Sequence, residues 1–139
     1  MTKITAENMN AIFAEMLLPS ENSVCPIYCA FREKSFFPTR LEYGYCTCTD
    51  TGRLLIVRYC GIMYENQKKG AAPLTAIKNL KIKKTLIGQY AITITFATEK
   101  KDFKLMLQIA SKIAGGGFAN QSENLQKLLD ILKPYETVK

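Results

Sequence analysis

A short stretch that mixes cations with aromatic side chains offers the first chemistry in this sequence. It covers residues 32–42, REKSFFPTRLE, and its candidate binding residues are Arg32, Lys34, Phe36, Phe37 and Arg40. Guanidinium and ammonium groups bind phosphate and carboxylate oxygens, and two adjacent phenylalanines supply an apolar anchor beside them. The pattern predicts a binding loop for an acidic protein face or for an anionic membrane surface. A structural alternative is that Phe36 and Phe37 fold back onto the core as a lid.

The sequence contains few residues that could form a catalytic site. The chain has no histidine, which removes the commonest general base and the commonest metal ligand. The carboxylates are scattered singly, and no spacing between them indicates acid–base catalysis. We therefore predict a protein that is not an enzyme and needs no cofactor. The alternative is an enzyme with a site built from a cysteine and a carboxylate that only the fold brings together.

The cysteines form two pairs whose members share a strand face, Cys25 with Cys29 and Cys46 with Cys48. Zinc-binding pairs are usually separated by two to four residues on a turn, which a mid-strand Cys-x-Cys pair does not provide. We predict buried structural thiols and no metal site. An odd total of 5 cysteines and an N-terminus without an apolar signal segment favour a cytoplasmic protein.

Positive charge is concentrated in the second half of this basic chain, whose net charge is +7. Residues 1–70 hold 8 Lys and Arg against 7 Asp and Glu, whereas residues 71–139 hold 11 against 5. Such a field attracts anionic partners, although a lysine-rich strand surface also discourages aggregation. Nucleic acid is not expected, because the polar faces of the predicted strands carry no aromatic residues for base stacking.

Strict alternation of apolar and polar residues predicts three antiparallel strands between Lys78 and Ile109. Before them, residues 43–49 and 53–60 predict a hairpin, since Thr-Asp-Thr-Gly between them is typical of a tight turn. Residues 23–31 predict a further strand that Pro26 interrupts. Residues 61–76 show no clear period, and we predict them to be irregular apart from a short strand near Ile62–Glu65.

Two amphipathic helices complete the prediction. The first covers residues 5–18, with Thr5 as N-cap and an apolar stripe that needs a cover, either its own barrel or a second chain. The second covers residues 120–132, with Asn120 as N-cap, Glu123 at the capping-box position and a stripe of leucines. We expect a single domain over residues 1–139, in which residues 23–109 form the β-barrel.

Two segments resemble a known family. Residues 44–55, GYCTCTDTGRLL, resemble the strand–turn–strand signature of bacterial pleckstrin-homology-like (PH-like) and GRAM-type domains, and residues 73–80, PLTAIKNL, resemble the start of their second sheet. The resemblance covers residues 18–133 and leaves the first helix as an addition. Unlike eukaryotic PH domains, this chain has no Trp and no clear phosphoinositide-binding pattern.

The resemblance implies a mainly β (α+β) fold: two nearly orthogonal antiparallel sheets form a partly open barrel capped by the C-terminal helix. It places Arg32, Lys34 and Arg40 in the first hairpin loop, where such domains hold their basic ligand-binding residues. PH-like barrels bind peptides, proteins and lipids. The expected function is a non-enzymatic interaction module or small cytoplasmic adaptor with a protein or peptide partner. Weak binding to anionic lipid or a phosphate-bearing ligand through residues 32–42 is the alternative, and a homodimer is a further expectation.

Overall fold

The computed structural model describes residues 5–32, 41–60, 66–86, 89–99, 101–111 and 118–137. Within these ranges the chain forms seven β-strands and two α-helices. In chain order they are α1 (Ala6–Met16), β1 (Ile27–Arg32), β2 (Leu41–Cys48), β3 (Arg53–Cys60), β4 (Asn66–Pro73), β5 (Ile77–Leu86), β6 (Gln89–Phe96), β7 (Phe103–Ala110) and α2 (Gln121–Leu132). Short 3₁₀ turns follow β4 at Leu74–Ala76 and α2 at Lys133–Tyr135.

All seven strands belong to one antiparallel sheet, in the order β4-β3-β2-β1-β7-β6-β5. The resemblance implied two sheets, but β1 joins the two halves because it pairs with both β2 and β7. Its pairing with β7 covers only Ala30–Arg32, at one end of the strand. The sheet curls into a half-barrel, and its inner face forms a hydrophobic core with α2.

The alternating pattern between Lys78 and Ile109 produces β5, β6 and β7. Leu80, Ile92 and Ile94 lie in the core, as the period of two requires. Phe103 differs, because it belongs to the apolar set of β7 by spacing but is 45% exposed. It is the first residue of β7, next to the turn that joins β6 to β7.

Strand β4 was not predicted. Its sequence, NQKKGAAP, alternates neither in hydrophobicity nor in size and is poor in β-branched and aromatic residues. Eight consecutive residue pairs with β3 hold it in the sheet, from Arg53 with Pro73 to Cys60 with Asn66. The prediction of an irregular segment is therefore wrong for residues 66–73, and the short strand predicted near Ile62–Glu65 lies outside the described residues.

Helix α1 packs on the outer face of the sheet, within the range 5–18 where the sequence predicts a helix. Met9, Ile12 and Phe13 of its stripe are buried against Leu55 and Val57 of β3. Thr5 caps the helix, since its side chain accepts a hydrogen bond from the backbone N–H of Asn8 at 3.1 Å. Burial of each large side chain contributes roughly 2 kcal/mol, so α1 is firmly attached to its own sheet.

Helix α2 lies inside the half-barrel. Leu125, Leu128 and Leu132 are buried in the same core as the apolar residues of β5 to β7. The predicted capping box is wrong in one respect: Asn120 precedes the helix, but its side chain makes no cap hydrogen bond. In the described parts of the chain, neither α-helix has the length and hydrophobicity that a membrane crossing requires.

Candidate functional site

The residues predicted to bind a partner lie at the end of β1 and beyond it. Arg32 is the last residue of β1, where its backbone pairs with Leu41 and Met106. Lys34, Phe36, Phe37 and Arg40 lie outside the described residues. Binding through residues 32–42 therefore stays a prediction.

An open groove, which we call the β4 groove, runs between β4 and the turn that joins β6 to β7. Its volume is about 870 Å³, within the range of typical ligand sites. Its apolar lining consists of Leu54, Ile56, Ala72, Ala76, Phe96, Phe103 and Leu105. The charged residues around it are Arg58, Lys68, Lys69 and Glu99.

The floor of the groove follows from the register of β3 and β4. Alternate residues of β3, from Leu54 through Ile56 to Arg58, face inwards, and their partners on β4 are Ala72, Gly70 and Lys68. Paired residues of antiparallel strands share one face of the sheet, so these six residues form one surface. Because β4 contributes only glycine and alanine at its centre, the space above Leu54 and Ile56 remains unfilled.

The opposite wall comes from β6 and β7. Phe96 and Phe103 are cross-strand partners on either side of the turn, and Leu105 continues the wall along β7. The turn is anchored, since the backbone N–H of Ala97 donates to the carbonyl oxygen of Ala76 at 2.9 Å. An exposed aromatic ring at the edge of an apolar groove is a common feature of binding surfaces.

One end of the groove is cationic. The guanidinium of Arg58 is buried, forms an ion pair with Glu42 and lies 5.7 Å from the centre of the Phe31 ring. Lys68, its partner on β4, is exposed and makes no ion pair within the described residues. Glu99 contributes a negative charge on the opposite wall. The groove therefore changes from cationic beside Arg58 and Lys68 to apolar beside Ala72 and Phe96.

The two edges of the sheet differ in how their backbone groups are used. At the β5 edge the C-terminal segment lies alongside the strand: the backbone N–H of Thr137 donates to the carbonyl oxygen of Leu80 at 2.8 Å, and the N–H of Leu80 donates to Thr137 Oγ1 at 3.1 Å. The N–H of Ile82 donates to Glu136 Oε2 at 3.3 Å. At the other edge, β4 has no strand beside it among the described strands.

The four thiols whose side chains the structure describes are not accessible for chemistry. Cys25, Cys29, Cys46 and Cys48 are free, fully or almost fully buried, and part of the core, as predicted for structural thiols. Burial raises the pKa of Cys29 and of Cys46. A hydrogen bond with Cys25, together with burial, raises the pKa of Cys48, and the same bond lowers the pKa of Cys25. No group of metal-binding side chains occurs in the ranges that the structure covers.

Sequence reasoning missed the β4 groove because its walls are distant in the chain and its β4 residues are small. The sequence contains one indication of this groove. Gly70, Ala71 and Ala72 are too small to fill the space beside the large apolar residues of β3. A strand of small residues next to a strand of large ones leaves a concave surface. This indication is useful only if residues 66–73 are first predicted to form a strand, and their composition does not favour that prediction.

The sequence matches no family model and no curated protein. A solved structure with a similar fold is the hSac2 domain from the human phosphoinositide phosphatase Sac2, at a TM-score of 0.56 and 10% identity over 95% of this chain and 83% of that chain. At this identity the likeness concerns the fold alone. The chain therefore shares with that domain a mostly β, barrel-like fold.

Proposed function

We propose that this protein is a non-enzymatic interaction module with a PH-like fold, which binds a protein or peptide partner in the β4 groove. The observation that carries the proposal is the groove itself. It combines about 870 Å³ of open space with an apolar floor, an exposed Phe103 and few charged groups. Partner proteins recognise such surfaces by placing apolar side chains in them and polar groups around the rim.

The PH-like assignment is supported by the order of the elements. Four strands precede the turn at Leu74–Ala76, three follow it, and a helix packs inside the half-barrel at the end. The likeness to the hSac2 domain, at a TM-score of 0.56, supports a barrel-like fold of the kind this assignment requires. The four buried free thiols support the placement in the cytoplasm, where thiols stay reduced.

A groove-filling substitution tests the proposal. Ala72→Trp places a large ring on the groove face of β4, whereas Ala71→Trp places the same ring on the opposite face. Tagged wild type and both variants are expressed in the native cells, cross-linked and purified, and co-purifying proteins are quantified by mass spectrometry. We expect a set of partners retained by Ala71→Trp and reduced about tenfold or more by Ala72→Trp, as for loss of a central contact.

Two controls make that comparison decisive. Circular dichroism and thermal unfolding establish that both variants are folded before partners are compared. If every co-purifying protein is retained equally by the two variants, the groove is not the binding surface and the proposal is wrong.

Membrane binding through residues 32–42 is the second candidate. It is favoured by the position of Arg32 at the end of β1, where the basic and aromatic residues of 32–42 begin. Each Lys or Arg near an anionic membrane contributes on the order of 1 kcal/mol, so salt would weaken the binding. Co-sedimentation with anionic vesicles at low salt, for wild type and a Phe36→Ala, Phe37→Ala double variant, tests it. We expect both to stay in the supernatant, and specific loss of vesicle binding in the double variant would instead favour this function.

A further inference from the structure

The open edge of β4 provides a second recognition element beside the apolar groove. A strand at the edge of a sheet presents N–H and C=O groups that pair readily with another extended chain. The β5 edge already accepts the chain's own residues, through the hydrogen bonds of Thr137 with Leu80. Strand β4, with 8 residues, has no such neighbour among the described strands.

The side chains beside this edge indicate what an added strand would contain. An added strand places alternate side chains on the groove side, where Gly70 and Ala72 leave room against Phe96 and Phe103. Apolar residues at every second position would fill that space. The side chains between them would point to the outer face, on which Lys69 lies 3.7 Å from Glu15 of α1.

The charges along the groove indicate where an acidic residue of the added strand would lie. Lys68 lies on the groove side beside Arg58, at the end of the groove where β4 begins. An acidic side chain of the partner at this end would meet the exposed Lys68, since Arg58 is buried and paired with Glu42, and the net charge of +7 favours the approach of an acidic partner. Glu99 on the opposite wall disfavours additional acidic residues farther along.

We propose that the β4 groove binds an extended segment of a partner protein as an additional strand on β4, with alternate apolar residues in the groove and an acidic residue near Lys68. The inference rests on the proposed function and specifies its partner. An acyl chain would also fill an apolar groove, but it has no groups to pair with the backbone of β4. The exposure of Phe103 and Lys68 likewise indicates an open groove that a chain enters from the side.

Selection from a random peptide library displayed on phage provides the first test. The library is selected on wild type and counter-selected on Ala72→Trp. We expect enriched peptides to share apolar residues at every second position and an Asp or Glu at one end. Enrichment without this alternation, or equal enrichment on Ala72→Trp, overturns the inference.

Backbone methylation of the best-enriched peptide tests strand addition directly. N-methyl groups are placed on one alternate set of residues in one peptide and on the other set in a second, and binding is measured by fluorescence polarisation. In an added strand only one set of N–H groups faces β4, so one peptide should lose about tenfold or more in affinity while the other binds like the parent. Equal affinities of the two methylated peptides overturn the inference.

Reversing the charge of Lys68 tests whether the acidic residue of the bound peptide lies near it. Lys68→Glu should weaken binding of the acidic peptide about tenfold, whereas Lys127→Glu on the exposed face of α2 should leave it unchanged. A competition arm with dodecanoate distinguishes an acyl ligand: displacement by dodecanoate together with insensitivity to N-methylation would assign the groove to amphiphiles. If cellular partners depend on Ala72 but the selected peptides fail these tests, the proposed function stands and strand addition is wrong.

Discussion

Glu21 illustrates how a single buried carboxylate can hold distant parts of the chain together. Its side chain accepts from Arg53 Nη2 at 2.6 Å and from Arg53 Nε at 2.9 Å, and it also accepts hydrogen bonds from Thr51 and from the backbone N–H of Leu18. Arg53 in turn donates to the carbonyl oxygen of Met16, at the end of α1. The pair thus attaches the end of α1 to the start of β3.

This network predicts a specific dependence of stability on pH. The guanidinium of Arg53 beside Glu21, with the donors around it, holds the pKa of the carboxyl far below its usual 4.5. A lowered pKa in the folded state stabilises the protein above the unfolded value, and the contribution disappears as the pH falls through the folded value. Stability should therefore decline as the pH falls below about 4.5, and Glu21→Gln should remove part of this decline.

Urea unfolding between neutral and acidic pH measures the effect. The exposed pair of Lys78 and Asp102, whose charged atoms are 2.9 Å apart, provides the control. Asp102→Asn should change the free energy of unfolding much less than Glu21→Gln, because solvent screens that pair. A Glu21→Gln variant with the stability and pH profile of wild type would contradict this account.

Two glycines on either side of β3 show why the sequence does not reveal every glycine's role. A Cβ atom on Gly44 would lie 1.8 Å from the carbonyl oxygen of Val57, so β2 and β3 can approach only with glycine there. On Gly70 it would lie 3.2 Å from a side-chain carbon of Ile56, which can move. Both positions look alike in the sequence, since the distinction depends on the neighbouring strand.

At the scale of elements, Gln121 joins strands that the sheet leaves apart. Its side chain accepts from the backbone N–H of Tyr28 at 3.0 Å and donates to the carbonyl oxygens of Tyr28 at 2.8 Å and Ala110 at 3.0 Å. These bonds lie where β1 and β7 no longer pair, two residues beyond Ala30 and Gln108. The first residue of α2 thus takes the place of a strand residue.

Substitution of Gln121 should therefore destabilise the fold. Gln121→Leu removes the hydrogen bonds to part-buried backbone groups of Tyr28 and Ala110, at a cost of about 1 kcal/mol for each bond. Gln126→Leu is the matched control, because Gln126 is exposed on the same helix and contacts only Asp130 in the described structure. Thermal unfolding compares the two, and equal melting temperatures would show that Gln121 does not hold the strands together.

The elements also differ in how far the sequence predicts them. Strands β5, β6 and β7 are predicted by the alternation of apolar and polar residues alone, because one face of each strand is buried and the other faces solvent. Strand β4 does not, since its place depends on eight pairs with β3 and not on its own residues. The burial of Cys29, Cys46 and Cys48 follows from their strand faces. Cys25 is also buried, although it precedes β1, because the strand predicted over residues 23–31 begins only at Ile27. The role of Gln121 depends on how α2 enters the half-barrel.

The same limit applies to the candidate site. The pattern in residues 32–42 is visible because its chemistry lies in consecutive residues. The β4 groove joins Leu54 with Phe103, nearly fifty positions later in the sequence, and owes its volume to side chains that are small. The spacing of residues in the sequence does not predict a groove between such distant segments. The site becomes apparent only when the register of the strands is known.

For the whole molecule, the two edges of the sheet differ in how far their backbone groups are open to pairing with another chain. The homodimer expectation named an open edge or the stripe of α1, and α1 is packed on its own sheet. The C-terminal segment contacts the β5 edge at Leu80 and Ile82, and lysines 81, 83 and 84 add charge beside them. The edge most available for pairing is therefore β4.

Removal of the C-terminal segment should make the second edge available as well. A chain that ends at Tyr135 loses Glu136 and Thr137, and with them the acceptors for the N–H groups of Leu80 and Ile82. Exposed edge groups pair with those of other chains, so we expect more self-association than in the full chain. Sedimentation velocity over a concentration series measures this, with a chain that ends at Thr137 as the control. If the chain ending at Tyr135 sediments like that control at every concentration, the segment does not protect the β5 edge, and the positive charge of the edge lysines would suffice to keep molecules apart.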